Sequence, residues 1–343
     1  MNKKKLPYIY VTLILLFLVI INWRQHRELK CEFYKFHRIS NVIQSLFRYG
    51  PEKTIMFLGN SFVQSVFVPT LLNSNDTFFL NLGIEDKSAL RSLNYLKKNG
   101  LYPQELFVQL TGREFTASYL PNLDIIKPDS KDSFDIFKAS FENEMRLWVY
   151  KYAPIFTYSV SLKNSLAQLV KTRDVCSTVK NMFYVDAPKC SQIKFHSDGL
   201  VEHLDPFTPE QVKEKTDAHI IFMKNRVQTS SRFLDSTIKE IVSLSRHFLE
   251  KGTRISFFRL PQHMDITREE DRLLNTYFES VRTLAIAHPN ARYLDFANQS
   301  NWEKFKNGIF DGAHWKAAGA KKFTKAAKKT ISTWKKTVGE VIL

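Results

Sequence analysis

Short apolar runs alternate with segments of helical periodicity along most of this chain, and this alternation most constrains the fold. The runs KTIMFL, TFFLNL and ELFVQL lie at 53–58, 77–82 and 105–110, and RISFFR and RYLDF lie at 254–259 and 292–296. Each is apolar without strict alternation, which is typical of a strand that is buried on both faces. Such strands separated by helices predict an α/β fold, a three-layer α/β/α sandwich around a parallel sheet.

The helical segments between these runs share apolar residues at helical spacing. They are predicted at 62–72, 88–98, 268–287 and 317–338, with a further stripe from Leu234 to Leu249 that ends before Gly252. The last helix is predicted to bury a stripe of five residues and to expose its lysines. The stripe consists of Phe323, Ala327, Ile331, Trp334 and Val338.

The alternation is interrupted between about residues 116 and 230. This stretch contains aromatic-rich segments and the turn-rich sequence KFHSDGLVEHLDPFTPEQ. Near its end, Thr208-Pro209-Glu210-Gln211 predicts a helix start, with Thr as the N-cap and Pro at the first helical position. We interpret the stretch as an insertion after the third strand, a common location for residues that recognise a substrate.

The N-terminus has the layout of a membrane anchor. Three lysines at 3–5 precede an uncharged run at 6–23, which is long enough to span a bilayer. A cleaved signal peptide has the same layout, but no small-x-small cleavage site follows, and Trp23 is typical of the membrane interface. We therefore predict a cytoplasmic N-terminus at 1–5, a transmembrane anchor at 6–23, a membrane-proximal linker at 24–52 and an extracytoplasmic domain at 53–338.

The net charge of +16, from 50 Lys and Arg against 34 Asp and Glu, favours anionic partners. Membrane head groups, acidic polysaccharides and nucleic acid all satisfy this condition. The sequence has no zinc finger, Walker loop or aromatic RNA-binding motif, so we predict no nucleic-acid partner.

The cysteines and histidines of the interrupted stretch leave two questions open. Cys176 and Cys190 can form a disulfide in an oxidising compartment, or remain two thiols. No CxxC or Cys/His ligand spacing occurs, so no structural zinc is predicted. His196 and His203 flank acidic residues, but polar turn residues are more often only turn residues, and we predict no metal site.

Two short motifs lie where chemistry occurs in α/β proteins. Gly59-Asn60-Ser61 follows the first strand, at the carboxyl edge where open sheets bind ligands. Asp311-Gly312-Ala313-His314 follows the fifth strand. A histidine there can deprotonate Ser61, and Asp311 can orient the imidazole. Taken singly, Ser61 is better interpreted as a helix N-cap, and Asp311-Gly312 as a solvated turn with an incidental histidine.

Together these motifs resemble the SGNH, or GDSL-like, hydrolase superfamily. FLGNS at 57–61, NLG at 81–83 and FDGAHWKAAGAKKF at 310–323 are similar to its first, second and fifth blocks, including the glycine at Gly319. The resemblance implies a flavodoxin-like parallel sheet and a catalytic Ser61 with His314 and Asp311. It also implies an oxyanion hole that includes the N–H groups of Ser61 and Gly83, and no cofactor.

The sequence departs from that family at two positions. Asn60 replaces the usual aspartate before the serine. The third block, usually G-x-N-D, is Thr111-Gly112-Arg113-Glu114 and has no asparagine. Arg113 or Thr111 can take over as the oxyanion donor, although Arg113 is equally well a structural ion-pair residue. Asn60, Thr111 and His263 are our candidates for substrate binding.

The anchor followed by a single SGNH-like domain resembles bacterial envelope proteins that work beside membrane-bound O-acyltransferases. This resemblance implies an inner-membrane protein that uses an acyl donor and a surface polysaccharide acceptor, with such an acyltransferase as partner. The alternative is a catalytically impaired SGNH-fold envelope protein that binds glycan or the acyltransferase.

Overall fold

A computed structural model describes residues 41–83, 89–111, 193–195, 200–203, 208–309 and 313–343. All of them belong to the compact unit formed by Arg38–Ile125 and Ile193–Leu343. The predicted anchor at 6–23, most of the predicted insertion, Cys176 and Cys190 lie outside the described residues. Within the described ranges, no helix is long and apolar enough to cross a membrane.

A six-stranded sheet forms the centre of the domain. Numbered along the chain, the strands are β1 (Thr54–Gly59), β2 (Phe78–Gly83), β3 (Glu105–Gln109), β4 (Ile193–Phe195), β5 (Val201–His203), β6 (Arg254–Arg259), β7 (Ala291–Asp295) and β8 (Val338–Glu340). The sheet order is β2-β1-β3-β6-β7-β8, with every neighbouring pair parallel, while β4 and β5 form a separate antiparallel hairpin. The five predicted strands are confirmed, each to within one residue.

Helices flank this sheet in two groups. In chain order they are α1 (Ser61–Val66), α2 (Ala89–Lys98), α3 (Pro209–Glu250), α4 (Met264–Ala287), α5 (Gln299–Phe305) and α6 (Ala317–Ser332). Helix α3 contacts α2 and α4, whereas α6 contacts α1 and α5. Successive side chains of a strand point to opposite faces, and all six residues of β1 are buried. Both faces of the sheet are therefore covered, and the predicted α/β class is confirmed.

The helix signals around the insertion act as predicted. The Thr208 side chain accepts a hydrogen bond from the Gln211 N–H, and the Gln211 side chain accepts one from the Thr208 N–H, which completes a capping box. Helix α3 then runs without a break past residue 230, where the predicted insertion ends. Gly252, at φ 85°, follows the last turn in a conformation that glycine adopts without strain.

Two helix ends differ from the prediction. Helix α1 stops at Val66 because Pro69 lies just beyond it and begins a short 3-10 turn. The last helix stops at Ser332, and not at Val338 as predicted. Its final carbonyls accept hydrogen bonds from the Arg292 guanidinium, and the chain continues as β8. Val338 is consequently an exposed strand residue and was wrongly assigned to the buried stripe.

Candidate active site

Ser61 is the first residue of α1 and lies directly beyond the carboxyl end of β1. The Asn60 side chain caps the helix, its Oδ1 accepting from the Phe62 N–H at 2.9 Å. The Asn60 N–H in turn donates to Gln109 Oε1 at 3.1 Å. A Cβ at Gly59 would lie 2.4 Å from that same oxygen, so only glycine lets Gln109 reach the turn. Strand β3 thus positions the turn that carries Ser61.

Helix α1 is held in place by the rest of the protein. With only six residues it is too short to be stable alone. Two side chains from elsewhere in the fold donate hydrogen bonds to backbone carbonyls of this segment, and one backbone N–H donates to Ser65. Asn81 Nδ2 donates to Val63 O at 2.8 Å and to Phe67 O at 3.2 Å, Thr324 Oγ1 donates to Val66 O at 3.1 Å, and the Trp315 N–H donates to Ser65 Oγ at 3.3 Å.

His314 Nε2 lies 2.8 Å from Ser61 Oγ, which is a hydrogen bond. The hydrogen bond from the Trp315 N–H to Ser65 Oγ holds the residue after His314 one helical turn from Ser61. The half-buried His314 ring also packs edge-on against Phe62, with ring centroids 4.8 Å apart. The structure therefore brings together two residues that are far apart in the sequence and that were both predicted as catalytic.

Gly319 allows α6, the helix after His314, to pack closely against Gly308. A Cβ at Gly319 would lie 2.5 Å from both Cα and O of Gly308, a distance at which something must shift. The Lys316 N–H donates to Gly308 O at 2.8 Å just before α6 begins. The glycine inside the predicted helix is thus required for close packing of α6, which directly follows His314.

Gly83 lies beside Gly59 in the sheet register and packs against α1, where a Cβ would lie 2.5 Å from Gln64 N. Its N–H, predicted as an oxyanion donor, donates to Asn81 Oδ1 at 3.0 Å. An oxyanion would have to share this N–H with Asn81. The Ser61 N–H is at the first helical position, where no intrahelical acceptor exists.

Thr111, a predicted substrate-binding residue, is buried beneath the carboxyl edge. Its hydroxyl donates to Glu270 at 3.3 Å, and Glu270 also accepts from Gln262 and pairs with Arg259 at 3.6 Å. Burial acts to lower the pKa of Arg259, but attraction from Asp295 and Glu270 outweighs it and raises that pKa above its usual value. Thr111 is thereby bonded into a buried charged cluster.

The remaining predicted site residues are placed as follows. His263 caps α4, with its Nδ1 accepting from the Asp265 N–H at 3.3 Å, and its partly exposed ring packs against Trp302. Asp311, Arg113 and His196 lie outside the described residues. No group of three or more metal-binding side chains occurs within the described ranges.

Several residues that support the site were missed by the sequence prediction. Gln109 carried a readable signal, since it is a polar residue at the end of an otherwise apolar strand. His219 carried none, because its position depends on where α3 packs. Its ring stacks on Phe62 at 5.9 Å, on the residue that also contacts His314. Both residues contact direct neighbours of Ser61 in the chain, Asn60 and Phe62.

The comparisons with known proteins add no relatives. No protein-family model matches the chain, and none of the curated proteins has a significantly similar sequence.

Proposed function

We propose that this protein is a membrane-anchored serine esterase or O-acyltransferase of the SGNH type. It acts on acyl groups, acetyl in the first instance, of a cell-envelope polysaccharide or related surface polymer. The single observation that carries this proposal is the 2.8 Å contact between His314 Nε2 and Ser61 Oγ at the carboxyl edge of the sheet. The sheet order supports it as well, because the first five sheet strands follow the 2-1-3-4-5 order of flavodoxin-like folds.

In the first half of the reaction, Ser61 Oγ attacks the acyl carbonyl and its proton passes to His314 Nε2. This requires a neutral imidazole with its proton on Nδ1, the tautomer that Asp311 is expected to hold. Collapse of the tetrahedral intermediate breaks the bond to the leaving oxygen, which takes the proton from His314. The acyl group remains on Ser61 as an ester.

In the second half, His314 accepts a proton from the incoming nucleophile, which attacks the Ser61 ester and releases the serine hydroxyl. Water as nucleophile makes the protein an esterase, and a sugar hydroxyl makes it an acyltransferase. The N–H groups of Ser61 and Gly83, with Arg113, are our proposed donors to the oxyanion. Each step uses only protein groups, so the proposal includes no cofactor.

The cellular location that we propose is inferred from the N-terminal sequence. The segment at 6–23 anchors the chain in the inner membrane and leaves the catalytic domain on the periplasmic side. The partners in this proposal are an acyl donor, a polysaccharide acceptor and a membrane-bound O-acyltransferase.

One observation favours the alternative, an SGNH-fold protein that binds glycan or the acyltransferase without turnover. The Gly83 N–H is engaged by Asn81, and the third block has no asparagine to supply a side-chain amide. A site with fewer oxyanion donors would stabilise the transition state less.

Labelling with a fluorophosphonate distinguishes the two functions. The full-length protein in detergent is treated with a fluorescent fluorophosphonate and assayed with an acetyl ester such as p-nitrophenyl acetate. We expect labelling and turnover in the native chain, and neither in Ser61→Ala or His314→Ala. Ser243→Ala, on the exposed face of α3, is the matched control and should behave as the native chain.

Labelling that persists in Ser61→Ala would exclude Ser61 as the nucleophile. A native chain that is folded, as judged by circular dichroism, yet neither labels nor hydrolyses the ester would favour the binding function. A mass increase of one acyl group on Ser61, located by peptide mass spectrometry, would support the covalent intermediate.

A further inference from the structure

The exposed face of α6 carries a stripe of lysines that the proposed reaction does not use. Successive residues of a helix are about 100° apart, so Lys321, Lys322, Lys325, Lys328 and Lys329 fall within an arc of about 120°. All five are exposed. The opposite side of the helix is buried in the core through Phe323, Ala327 and Ile331. We refer to these five residues as the lysine stripe.

The lysine stripe has no carboxylates interleaved with it. Residues 313–339 contain eight lysines and no Asp or Glu. Helix α4 is organised differently, since its arginines pair with acidic residues three positions away. The pairs are Arg268 with Asp265, Arg272 with Glu269 and Arg282 with Glu279. The charge of α4 is therefore balanced within the helix, whereas that of α6 is not.

Such an arrangement favours an external anion. Lysines four residues apart on a helix, such as Lys321 and Lys325, or Lys325 and Lys329, repel one another. Among the residues that the structure describes, none of the five forms an ion pair. A surface of negative charge placed against the stripe would relieve the repulsion of all five ammonium groups together.

The shape of the stripe selects the kind of anion. The other exposed residues of α6 are small: Ala318 before the stripe, Ala326 within it and Ser332 after it. The stripe presents no aromatic side chain on which a base or a sugar ring could stack. A lysine surface about 12 Å long fits a plane of phosphate head groups, which attracts each lysine near it.

We propose that the lysine stripe of α6 docks on anionic phospholipid head groups of the membrane that anchors the chain. The predicted anchor at 6–23 keeps the domain close to that surface, and the charge of the stripe is complementary to it. Helix α6 begins three residues after His314. Docking through α6 would therefore fix the orientation of the catalytic edge relative to the membrane.

Lysine footprinting tests this proposal without using enzymatic activity. The full-length chain is reconstituted into vesicles of phosphatidylcholine alone or with phosphatidylglycerol, and its lysines are acetylated and quantified by mass spectrometry. We expect the five stripe lysines to react about fivefold more slowly in the phosphatidylglycerol vesicles. The protection should disappear in about 1 M salt, where the Debye length falls to about 3 Å. Exposed lysines elsewhere, such as Lys97 and Lys239, should react equally in both vesicles.

Variants of equal charge complete the test. Energy transfer from a dye on α6 to labelled phosphatidylglycerol reports how close α6 lies to the vesicle surface. A chain with all five stripe lysines changed to Gln should show lower energy transfer than the native chain. The control chain replaces five exposed lysines outside α6, Lys53, Lys97, Lys98, Lys239 and Lys251, with Gln and should keep native energy transfer. Fluorophosphonate labelling should be native in both.

Three outcomes would overturn the proposal. These are equal acetylation of the stripe in the two kinds of vesicle, energy transfer that falls equally in the two variants, and protection by a soluble polyanion such as dextran sulfate but not by phosphatidylglycerol. The last would identify the stripe as a site for an anionic polymer. None of these results depends on whether Ser61 is a nucleophile.

Discussion

The two ends of the same sheet both carry buried polar groups, but they use them differently. At the amino end, all three guanidinium nitrogens of Arg292 donate hydrogen bonds within the protein. Their acceptors are Ser256 Oγ, Glu105 Oε1 and the carbonyls of Thr330, Ile331 and Thr333. At the carboxyl end, Ser61 Oγ contacts His314, and the bonds around it hold backbone rather than the hydroxyl.

This difference separates a structural cluster from the one that we propose is reactive. Burial lowers the pKa of Arg292 and is only partly opposed by the attraction of Glu105, so the buried guanidinium is stabilised mainly by the hydrogen bonds it donates inside the fold. Its hydrogen-bonding capacity is used up inside the fold, where it ends α6 and joins β3 to β7. Among the described residues, the Ser61 hydroxyl instead has one hydrogen-bond partner, His314 Nε2, which can accept its proton. Activity should therefore depend on the carboxyl end and stability on the amino end.

The largest effect is expected from Ser61→Ala. Removing the nucleophile of a serine hydrolase lowers turnover by about 10⁴-fold or more. Because the change deletes one oxygen from a site whose backbone is held by other residues, the free energy of unfolding should change by less than about 1 kcal/mol. Ester hydrolysis and urea unfolding of the same preparation measure the two quantities. Loss of stability comparable to that of an Arg292 variant would contradict the comparison.

Arg292→Met should give the opposite pattern. The change leaves the carboxylate of Glu105 buried without its main partner, which costs about 3–5 kcal/mol of stability. Turnover per folded molecule should be unchanged. Urea unfolding measures the loss, and active-site titration with a fluorophosphonate normalises the turnover. The double variant Glu105→Gln/Arg292→Met removes both charges and should regain part of the stability. If it is less stable than Arg292→Met, the buried charge is not the cause.

The sequence predicted the five strands and the Ser61–His314 pair because both depend on local signals in chain order. A strand is marked by its apolar run, and the order of strands and helices places both motifs at one edge. The sequence did not predict β8 or the end of α6. The end of α6 depends on Arg292 reaching carbonyls far along the chain, a contact that no local pattern encodes. Strand β8 has only three residues, too few to form a recognisable apolar run. Whether Asp311 and Arg113 join the site stays a prediction.

Gln109→Leu tests the positioning of the nucleophile turn and should have a smaller effect. Leucine is similar in size but cannot accept from the buried Asn60 N–H, which costs about 1–3 kcal/mol of stability. A shift of the turn should also lower kcat, by about tenfold, with little change in KM. Gln109→Glu is the matched control, since it keeps an acceptor oxygen at the same position. Equal loss of kcat in both variants would argue against a role for this hydrogen bond.

Tyr95 belongs to neither end, and its substitution gives the smallest expected effect. Among the residues that the structure describes, its buried hydroxyl on α2 has no hydrogen-bond partner, so Tyr95→Phe should raise the free energy of unfolding by about 1 kcal/mol at pH 8. Burial raises the pKa of Tyr95 to about 12 from 10.0. The unfolded chain therefore loses this proton first, and the native protein loses stability as the pH rises from about 10 towards 12. The phenylalanine variant lacks this loss, so its advantage should grow with pH in urea titrations at pH 8 and pH 11. A difference in the free energy of unfolding that stays constant with pH would mean that water reaches the Tyr95 hydroxyl in the native state. The hydroxyl would then not be a buried group without a partner.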